Sequence, residues 1–426
     1  MCGINGFIYK EKTDNSYLTN NINNMNNLIH HRGPDDDGIF TEVRNGYGIT
    51  MGMRRLSIID LHSGKQPIFS EDKQITIVFN GEIYNFLDLK RELLQKGVVF
   101  TTNSDTEVIL KLYEIEGVSS FKKLDGMFAF SIYDKRKKKI FITRDFFGEK
   151  PLYYSNINNQ FIWGSELKSI IHKLKSKPKI NIKGLNLYFR LTYIPAPYTI
   201  YENIHKLEPN HYITYNLIEK EFSIDKIHET TVNDKKSAPT FKEAKKKVKE
   251  LVYESVSSRS ISDVPLGTFL SGGVDSSVVS LCLSQDKASP IETFSIGFEK
   301  KSFDETDKSR VVAKQIGSNH HEFIIGEKDL QKNIDEILLN FDEPFADSSS
   351  LPTYLVSNKT RDYVKVALTG DGGDEMFGGY NKYYMGKMNS NYTRIIPKAV
   401  HNVMSKMIMP FLKVSSDNRG IRFKSK

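Results

Sequence analysis

Cys2 stands one methionine away from the start of the chain. Removal of Met1, favoured before a small side chain, would leave a thiol and a free α-amine on one residue. An α-amine has a pKa of roughly 7.7–8.0, near enough to neutral to take the thiol proton. Cys2 is therefore a candidate nucleophile that carries its own base. The only other cysteine is Cys282, so the chain has no disulfide framework and no Cys-rich metal site. Its histidines lack HExxH or CxxC-type spacing, which argues against zinc.

A second chemistry lies at Leu270–Ser277, where an apolar segment runs into SGGVDSS. Gly272 and Gly273 let the backbone approach a phosphate chain. Ser271, Ser276 and Ser277, with the N–H groups of a helix start, donate to it. No GK[ST] follows, so this is not a Walker loop. Downstream, LTGDGGDEMFGGY (Leu368–Tyr380) places Asp371, Asp374 and Glu375 after another apolar segment. Mg²⁺ on a phosphate chain takes one or two carboxylates, with phosphate oxygens and waters completing the shell. Asp275 and Asp374 are the candidate ligands.

The elements that must hold these groups have two textures. Up to about Tyr201, Ile75–Phe79, Met127–Tyr133, Ile140–Thr143 and Phe161–Trp163 read as strands rich in β-branched and aromatic residues. MFAFSIY is apolar almost throughout, so both its faces need cover. The run Lys135–Lys139 reads as a hairpin turn, and Thr106–Tyr113 as a helix. The Asn-rich stretch near Asn20–Asn27 reads as a helix surface without chemistry. From about His205 to Pro239 a polar strand pair and linker follow. Thr240 and Glu243 then form a capping-box signal for a helix with Phe241, Ala244, Val248, Leu251, Val252 and Val256 on one face. Beyond it, VPLGTFL, TFSIGF, HEFII and VKVALT read as strands, alternating with helices. Such alternation implies a parallel sheet with its ligand site at the strands' carboxyl ends.

The 426 residues, 39% apolar and 26% charged, suit two domains of a globular protein. No run approaches the ~18 apolar residues of a membrane span, and the start lacks a secretory signal. The cytoplasm is the expected compartment. The net charge of +8 is matched by the Lys387–Lys426 segment alone, whose basic residues read as a solvated face. No nucleic-acid motif accompanies them.

Six segments in order, HRGPDDDG (His31–Gly38), RRLSIID (Arg54–Asp60), NGEIYN (Asn80–Asn85), SDTEV (Ser104–Val108), LDGMFAF (Leu124–Phe130) and RDFFGEKPLYY (Arg144–Tyr154), resemble the glutaminase domain of class II amidotransferases. That resemblance implies an N-terminal-nucleophile αββα sandwich. Cys2 would attack glutamine, with the Asn80 side chain and the Gly81 N–H as oxyanion donors. Arg55 would hold the substrate carboxylate as a planar fork, and Asp105, with Glu82 nearby, its ammonium.

SGGVDSS, FSIGFE (Phe294–Glu299), FDEPFADSSSLPTY (Phe341–Tyr354) and LTGDGGDE resemble the ATP pyrophosphatase domain of asparagine synthetases, a Rossmann-like parallel sheet. The resemblance implies that backbone atoms at Leu270, Ile296, Thr369 and Gly370 hold adenosine. Many such synthetases carry Glu at the place of Asp371, a side chain linked to acyl-adenylate formation; Asp keeps the charge one methylene shorter. Together the two resemblances imply glutamine-dependent, ATP- and Mg²⁺-dependent amidation of aspartate or a related acid. The expected division is a glutaminase domain at 1–205, a linker at 206–239 and a synthetase domain at 240–426. Alternatives are a short form retaining glutaminase or ligand binding alone, and amidation of a sugar carboxylate. The family's synthetase domain continues beyond the length seen here, through a catalytic lysine. Val400, Val403, Met404, Met407, Ile408, Met409, Phe411 and Leu412 are accordingly expected to lack cover. The partners implied are glutamine, aspartate and ATP, and a homodimer is one assembly open to the chain.

Overall fold

Strands with apolar side chains on both faces need cover on both sides, and that requirement shapes the N-terminal part. The computed structural model describes residues 1–408 except 12, 45, 175, 230–238, 302 and 303. Its first strands are β1 (Gly3–Tyr9), β2 (Asp36–Arg44), β3 (Tyr47–Arg55), β4 (Ile68–Phe69), β5 (Ile75–Ile83) and β6 (Gly126–Asp134). Then come β7 (Lys139–Arg144), β8 (Tyr153–Ile157), β9 (Gln160–Gly164), β10 (Ile204–Lys206), β11 (His211–Asn216) and β12 (Glu221–Lys226). Two antiparallel sheets result, ordered β10-β8-β9-β1-β3-β2 and β12-β11-β7-β6-β5-β4.

The period of two along each strand sends alternate residues to opposite faces. On β5, Val78 joins the core with Ile4, Met51 and Trp163 of the other sheet, while Ile77 and Phe79 pack with Leu89, Val108 and Ile109. On β6, Ala129 and Tyr133 face the opposite sheet, and Phe128, Phe130 and Ile132 face the helices Phe86–Gln95 and Asp105–Glu116. The first sheet is covered in the same way by Asn15–Leu28 and Leu167–Lys173, through Leu18, Ile22, Met25, Leu167 and Ile170. This is the expected αββα sandwich, with MFAFSIY covered on both faces.

Two local readings change. The strand pair placed between 206 and 239 is β11–β12, which extends the second sheet from β7, so the sandwich runs on to Lys226; positions 230–238 of the expected linker lie outside the described residues. Asn26, in the stretch read as a helix surface, is buried. It accepts from Asn5 Nδ2 at 3.3 Å and donates to the Met53 carbonyl at 3.4 Å, tying the helix to two strands.

Thr240 and Glu243 form the expected reciprocal cap of helix Phe241–Arg259. That helix packs through its C-terminal half only. Val256 is buried with Cys282, Leu283 and Ile291, and Val252 packs against them, whereas Phe241 is 86% exposed and Val248 and Leu251 are also exposed. Strands β13 (Leu266–Phe269), β14 (Glu292–Phe298), β15 (Asn319–Ile325) and β16 (Val366–Leu368) form the expected parallel sheet, in the order β15-β14-β13-β16. Helices Val274–Asp286, Thr306–Ile316 and Glu327–Asn340 follow the first three of these strands.

The chain divides into two compact units, residues 1–369 and 370–426. The second, described by itself, contains the helices Gly373–Phe377, Asn381–Ile395 and Lys398–Ile408. Val400, Val403, Met404 and Met407 are exposed there. The Ile408 side chain and Met409, Phe411 and Leu412 lie outside the described residues. Among the described residues, no helix is long and apolar enough to cross a membrane.

Candidate active sites

Cys2 immediately precedes β1, whose Gly3 lies opposite Arg54 on β3. This antiparallel register brings the chain start beside Arg55 and Leu56. The Cys2 thiol faces the Leu56 backbone, with Leu56 N–H donating to Sγ at 3.3 Å. The Cys2 carbonyl accepts from Arg32 Nε at 2.8 Å, fixing the backbone from the other side. Burial pushes the thiol pKa up; the Leu56 backbone, the terminal amine, Arg55 and Lys150 act against it. The terminal amine, here on Met1, is lowered by burial to about 6, with the Cys2 charge opposing and Arg32 and Lys150 assisting. While Met1 is attached, the Cys2 nitrogen is an amide with no basic lone pair.

One cavity is lined by Cys2, Arg55, Asn80, Gly81, Glu82 and Asp105, the six residues assigned to glutamine from sequence. Arg55 ends β3 and is 5% exposed. Its Nη2 donates to the carbonyls of Ile59 at 3.0 Å and Asp60 at 2.7 Å. Asn80 and Gly81 lie within β5, opposite Ala129 and Phe128. Gly81 must be glycine because a Cβ would stand 2.1 Å from the Met127 carbonyl oxygen. Asn80 is fully buried, and neither its Oδ1 nor its Nδ2 has a hydrogen-bond partner among the described residues. An unsatisfied buried polar atom costs about 1–3 kcal/mol, so two on one amide beside a thiol call for a functional account.

Asp105 opens the helix Asp105–Glu116, with Ser104 as its cap. Burial raises its carboxyl to about 6, against hydrogen bonds from the Ile83 and Thr106 backbone. Glu82 is raised to about 7 by burial and by the Asp105 charge, with Lys150 and the terminal amine opposing. A pair of this kind favours a cation arriving between the two carboxylates.

Sequence reasoning assigned no role to several residues within the quoted motifs. Arg32 of HRGPDDDG holds the Cys2 carbonyl. Lys150 of RDFFGEKPLYY lines the cavity and is 3% exposed. Its ammonium lies 2.9 Å from Met127 Sδ and, among the described residues, has no carboxylate at ion-pair distance. Glu166 was not singled out, yet it receives Arg32 at 3.0 Å, His31 at 2.8 Å and Lys168 at 3.0 Å. Burial alone would raise its carboxyl; the His31 and Arg32 contacts outweigh that and hold it near 2. For Arg32 and Lys150, membership in charged motifs was the available signal, whereas Glu166 lies outside them; all three pairings depend on tertiary contacts.

At the second set, Leu270 follows β13 and is fully buried, its N–H donating to the Phe294 carbonyl at 2.8 Å. Ser271–Gly273 form the bend into helix Val274–Asp286, which has Asp275 in its first turn. Gly272 has φ +80°, and a Cβ there would stand 2.5 Å from Lys308 Cβ. Both facts demand glycine. Ser271 Oγ lies 2.9 Å from Ser276 Oγ, and Ser277 Oγ donates to the Gly273 carbonyl at 2.6 Å. Ile296 on β14 and Thr369 just after β16 lie on strands flanking β13, toward their carboxyl ends. Leu270, Ile296 and Thr369 thus share one sheet edge with the serine loop. Gly370, Asp371 and Asp374 belong to the second unit. There Asp374 and Glu375 occupy the first turn of Gly373–Phe377, and a Cβ on Gly379 would overlap Asp374 Oδ1. Among the described residues, no cluster of three or more His, Cys, Asp or Glu side chains is placed to hold a metal.

The glutamine amidotransferase domain family matches residues 1–225, more than half of the chain, and the asparagine synthase family matches residues 247–424. A Methanocaldococcus jannaschii protein, provisionally named glutamine-hydrolyzing asparagine synthetase 2, is 42% identical over 99% of this chain and 82% of its own length. The chain belongs to the glutamine-hydrolysing asparagine synthetase family. Asparagine synthetase (glutamine-hydrolyzing) 1 of Bacillus subtilis is 38% identical over 90% of this chain, which spans 59% of that relative's length. Among solved structures, the allosteric regulatory enzyme of purine biosynthesis covers 76% of this chain and 80% of its own at 14% identity. Its TM-score of 0.40 is too low to argue from.

Proposed function

We propose that this chain amidates aspartate with ammonia taken from glutamine, yielding asparagine, glutamate, AMP and pyrophosphate. The observation that carries the reading is Asn80, whose buried amide lacks a partner in the cavity that Cys2 also lines. A glutamine side-chain carbonyl attacked by the thiol would supply the missing acceptor: its developing O⁻ accepts from Asn80 Nδ2 and the Gly81 N–H. Once Met1 is gone, the Cys2 α-amine takes the thiol proton and returns it to the departing nitrogen as ammonia leaves. Water then hydrolyses the thioester and frees glutamate. Arg55 would receive the substrate carboxylate, and Glu82 with Asp105 its ammonium.

In the synthetase part, the acceptor carboxylate would attack the α-phosphorus of ATP and expel pyrophosphate. Ammonia would then attack the acyl-adenylate and release AMP. The glycine bend at 272–273, the serines 271, 276 and 277 and the helix start suit a pyrophosphate. Leu270, Ile296, Thr369 and Gly370 are the proposed adenosine contacts, and Asp371 the group tied to adenylate formation. Mg²⁺, bound chiefly by phosphate oxygens and water, would need one or two carboxylates, with Asp275 and Asp374 as candidates; it would neutralise phosphate charge. We place the glutaminase domain up to the end of β12 and the synthetase domain from Thr240, in a cytoplasmic enzyme. The deciding experiment supplies glutamine, ATP, Mg²⁺ and aspartate or sugar acids, and identifies products by mass spectrometry. Asparagine with equimolar AMP supports the reading. Glutamate without an amide product supports the glutaminase-only alternative, and an amidated sugar acid changes the acceptor.

A further inference from the structure

The wall of the glutamine cavity includes Ile58 and Ile59, part of the short segment between β3 and β4. This segment carries no glutamine-facing charge of its own, but it anchors one. The carbonyls of Ile59 and Asp60 accept hydrogen bonds from Arg55 Nη2, at 3.0 and 2.7 Å. Asp60 sits at φ +54°, a left-handed conformation uncommon outside glycine, asparagine and aspartate. Such a conformation persists only where surrounding contacts impose it.

Those contacts come partly from the synthetase side. Asp263 lies in the loop leading into β13, the strand that ends at the serine bend. Its Oδ2 accepts from the Asp60 N–H at 2.7 Å, and its own N–H donates to the Ile58 carbonyl at 3.0 Å. The peptide units of residues 58–60 are therefore clamped between Arg55 on the cavity side and Asp263 on the other. A second tether holds the start of the same segment. Lys365, just before β16, meets Asp35 at 2.7 Å, and Asp35 accepts from the Ser57 N–H at 2.8 Å.

We infer that Asp263 is a positioning residue of the glutamine site: by fixing the 58–60 turn it aims the Arg55 guanidinium at the substrate carboxylate. Asp263 touches no reacting atom. It acts on glutamine binding, through Arg55, from the domain that uses the ammonia. The inference rests on the proposed role of Arg55. Because the Asp60–Asp263 contact joins the two parts of residues 1–369, it also gives the loop before the serine bend a direct mechanical hold on the glutamine cavity.

The test uses the full chain and measures glutamate release. Asp263→Ala should raise KM for glutamine about three- to tenfold, the range of one ordinary net hydrogen bond, because the lost contact reaches the substrate only through Arg55. Its kcat should stay within about twofold. Capture of Cys2 by a diazoketone analogue of glutamine, which needs the carboxylate contact, should slow by the same factor at low reagent. Capture by iodoacetamide, which does not need it, should be unchanged. Asp263→Asn, whose amide oxygen still accepts from Asp60 N–H, should restore the parent KM. If Asp263→Ala fails to fold, Asp263→Ser, too short to reach, carries the same comparison. An unchanged KM, or equal slowing with both reagents, overturns the inference. Arg55→Met separates the layers. If it leaves KM unchanged, the role given to Arg55 falls; if it raises KM while Asp263→Ala does not, only the present inference falls.

Discussion

Asn80 offers a perturbation in which function and stability should move in opposite directions. Its side chain is fully buried with both polar atoms unpartnered among the described residues. At about 1–3 kcal/mol for each such atom, the amide should cost the resting fold about 2 kcal/mol or more. Asn80→Leu keeps a similar volume and removes both polar atoms. Its tetrahedral, bulkier branch point in place of a planar amide returns part of the gain, since overpacking costs about 1–3 kcal/mol. Stability should therefore hold or rise by about 1 kcal/mol. Catalysis should fall by ~10²–10³ in kcat, the loss for one oxyanion donor. Asn80→Ala should show the same kcat loss with a smaller stability gain, because it leaves a small cavity. Denaturant unfolding read by circular dichroism, beside glutamate release under saturating glutamine, gives both quantities. A variant that loses about 2 kcal/mol or more of stability and keeps kcat within threefold would show that Asn80 is a structural amide. The oxyanion reading would then be refuted.

Cys2→Ala should abolish glutamate release, and protein shown by intact mass to retain Met1 should be equally inactive, since its Cys2 nitrogen is an amide; a wild-type rate in the first would remove the nucleophile assignment, and in the second the α-amine's role as base. Asp275→Asn should weaken ATP use while leaving glutamate release within about twofold; equal loss of both activities in folded protein would contradict a separate ATP site. Glu82 and Asp105, raised to about 7 and about 6, should make log KM for glutamine climb as pH falls below 7, by up to tenfold per unit. For the same pair, raised from ordinary values of 4.5 and 3.8, the stabilising contribution is full at acid pH and is lost as pH rises through 6 and 7. Bound glutamine should recover that loss, and a pH-independent KM between 5.5 and 8 would contradict the pairing.

Much of this was legible because the chemistry sits in short local patterns. A serine-rich bend between strand and helix, and an Asn-Gly pair directly after the apolar run Ile75–Phe79, carry their constraint in neighbouring residues; that the strand runs on through the pair to Ile83 was not legible. Gly272 and Gly81 show two versions of it, one through a positive φ and one through the close approach of Met127. The less legible parts depend on partners far along the chain. β11 and β12 read as a strand pair belonging to the linker because their alternation is weak; pairing with β7 gives them their place in the second sheet. Asn26 read as surface because its neighbours are polar; it is buried against β1 and β3, which lie on either side of it in the chain. Arg32, Asp60 and Glu166 are ordinary charges in sequence, and only the fold brings them to Cys2, Arg55 and each other.

The charges around the glutamine cavity have a common logic. Arg55 and Lys150 are buried cations, and Glu82 with Asp105 form a buried acidic pair. Their burial penalty is reflected in the direction of each resolved shift: both carboxyls rise and the Lys150 ammonium falls. A free amino acid carries one ammonium and one carboxylate a few bonds apart. Binding it adds an anion beside the cations and a cation beside the acids, so each charged group in the wall gains a partner at once. A neutral amide alone would satisfy Asn80 but leave the four charged groups as they were. On the proposed reading, the cavity would select the zwitterionic end of its ligand by charge and the amide end by the unpartnered Asn80. An acetamide-like substrate should be hydrolysed far more slowly than glutamine even at concentrations that fill the cavity.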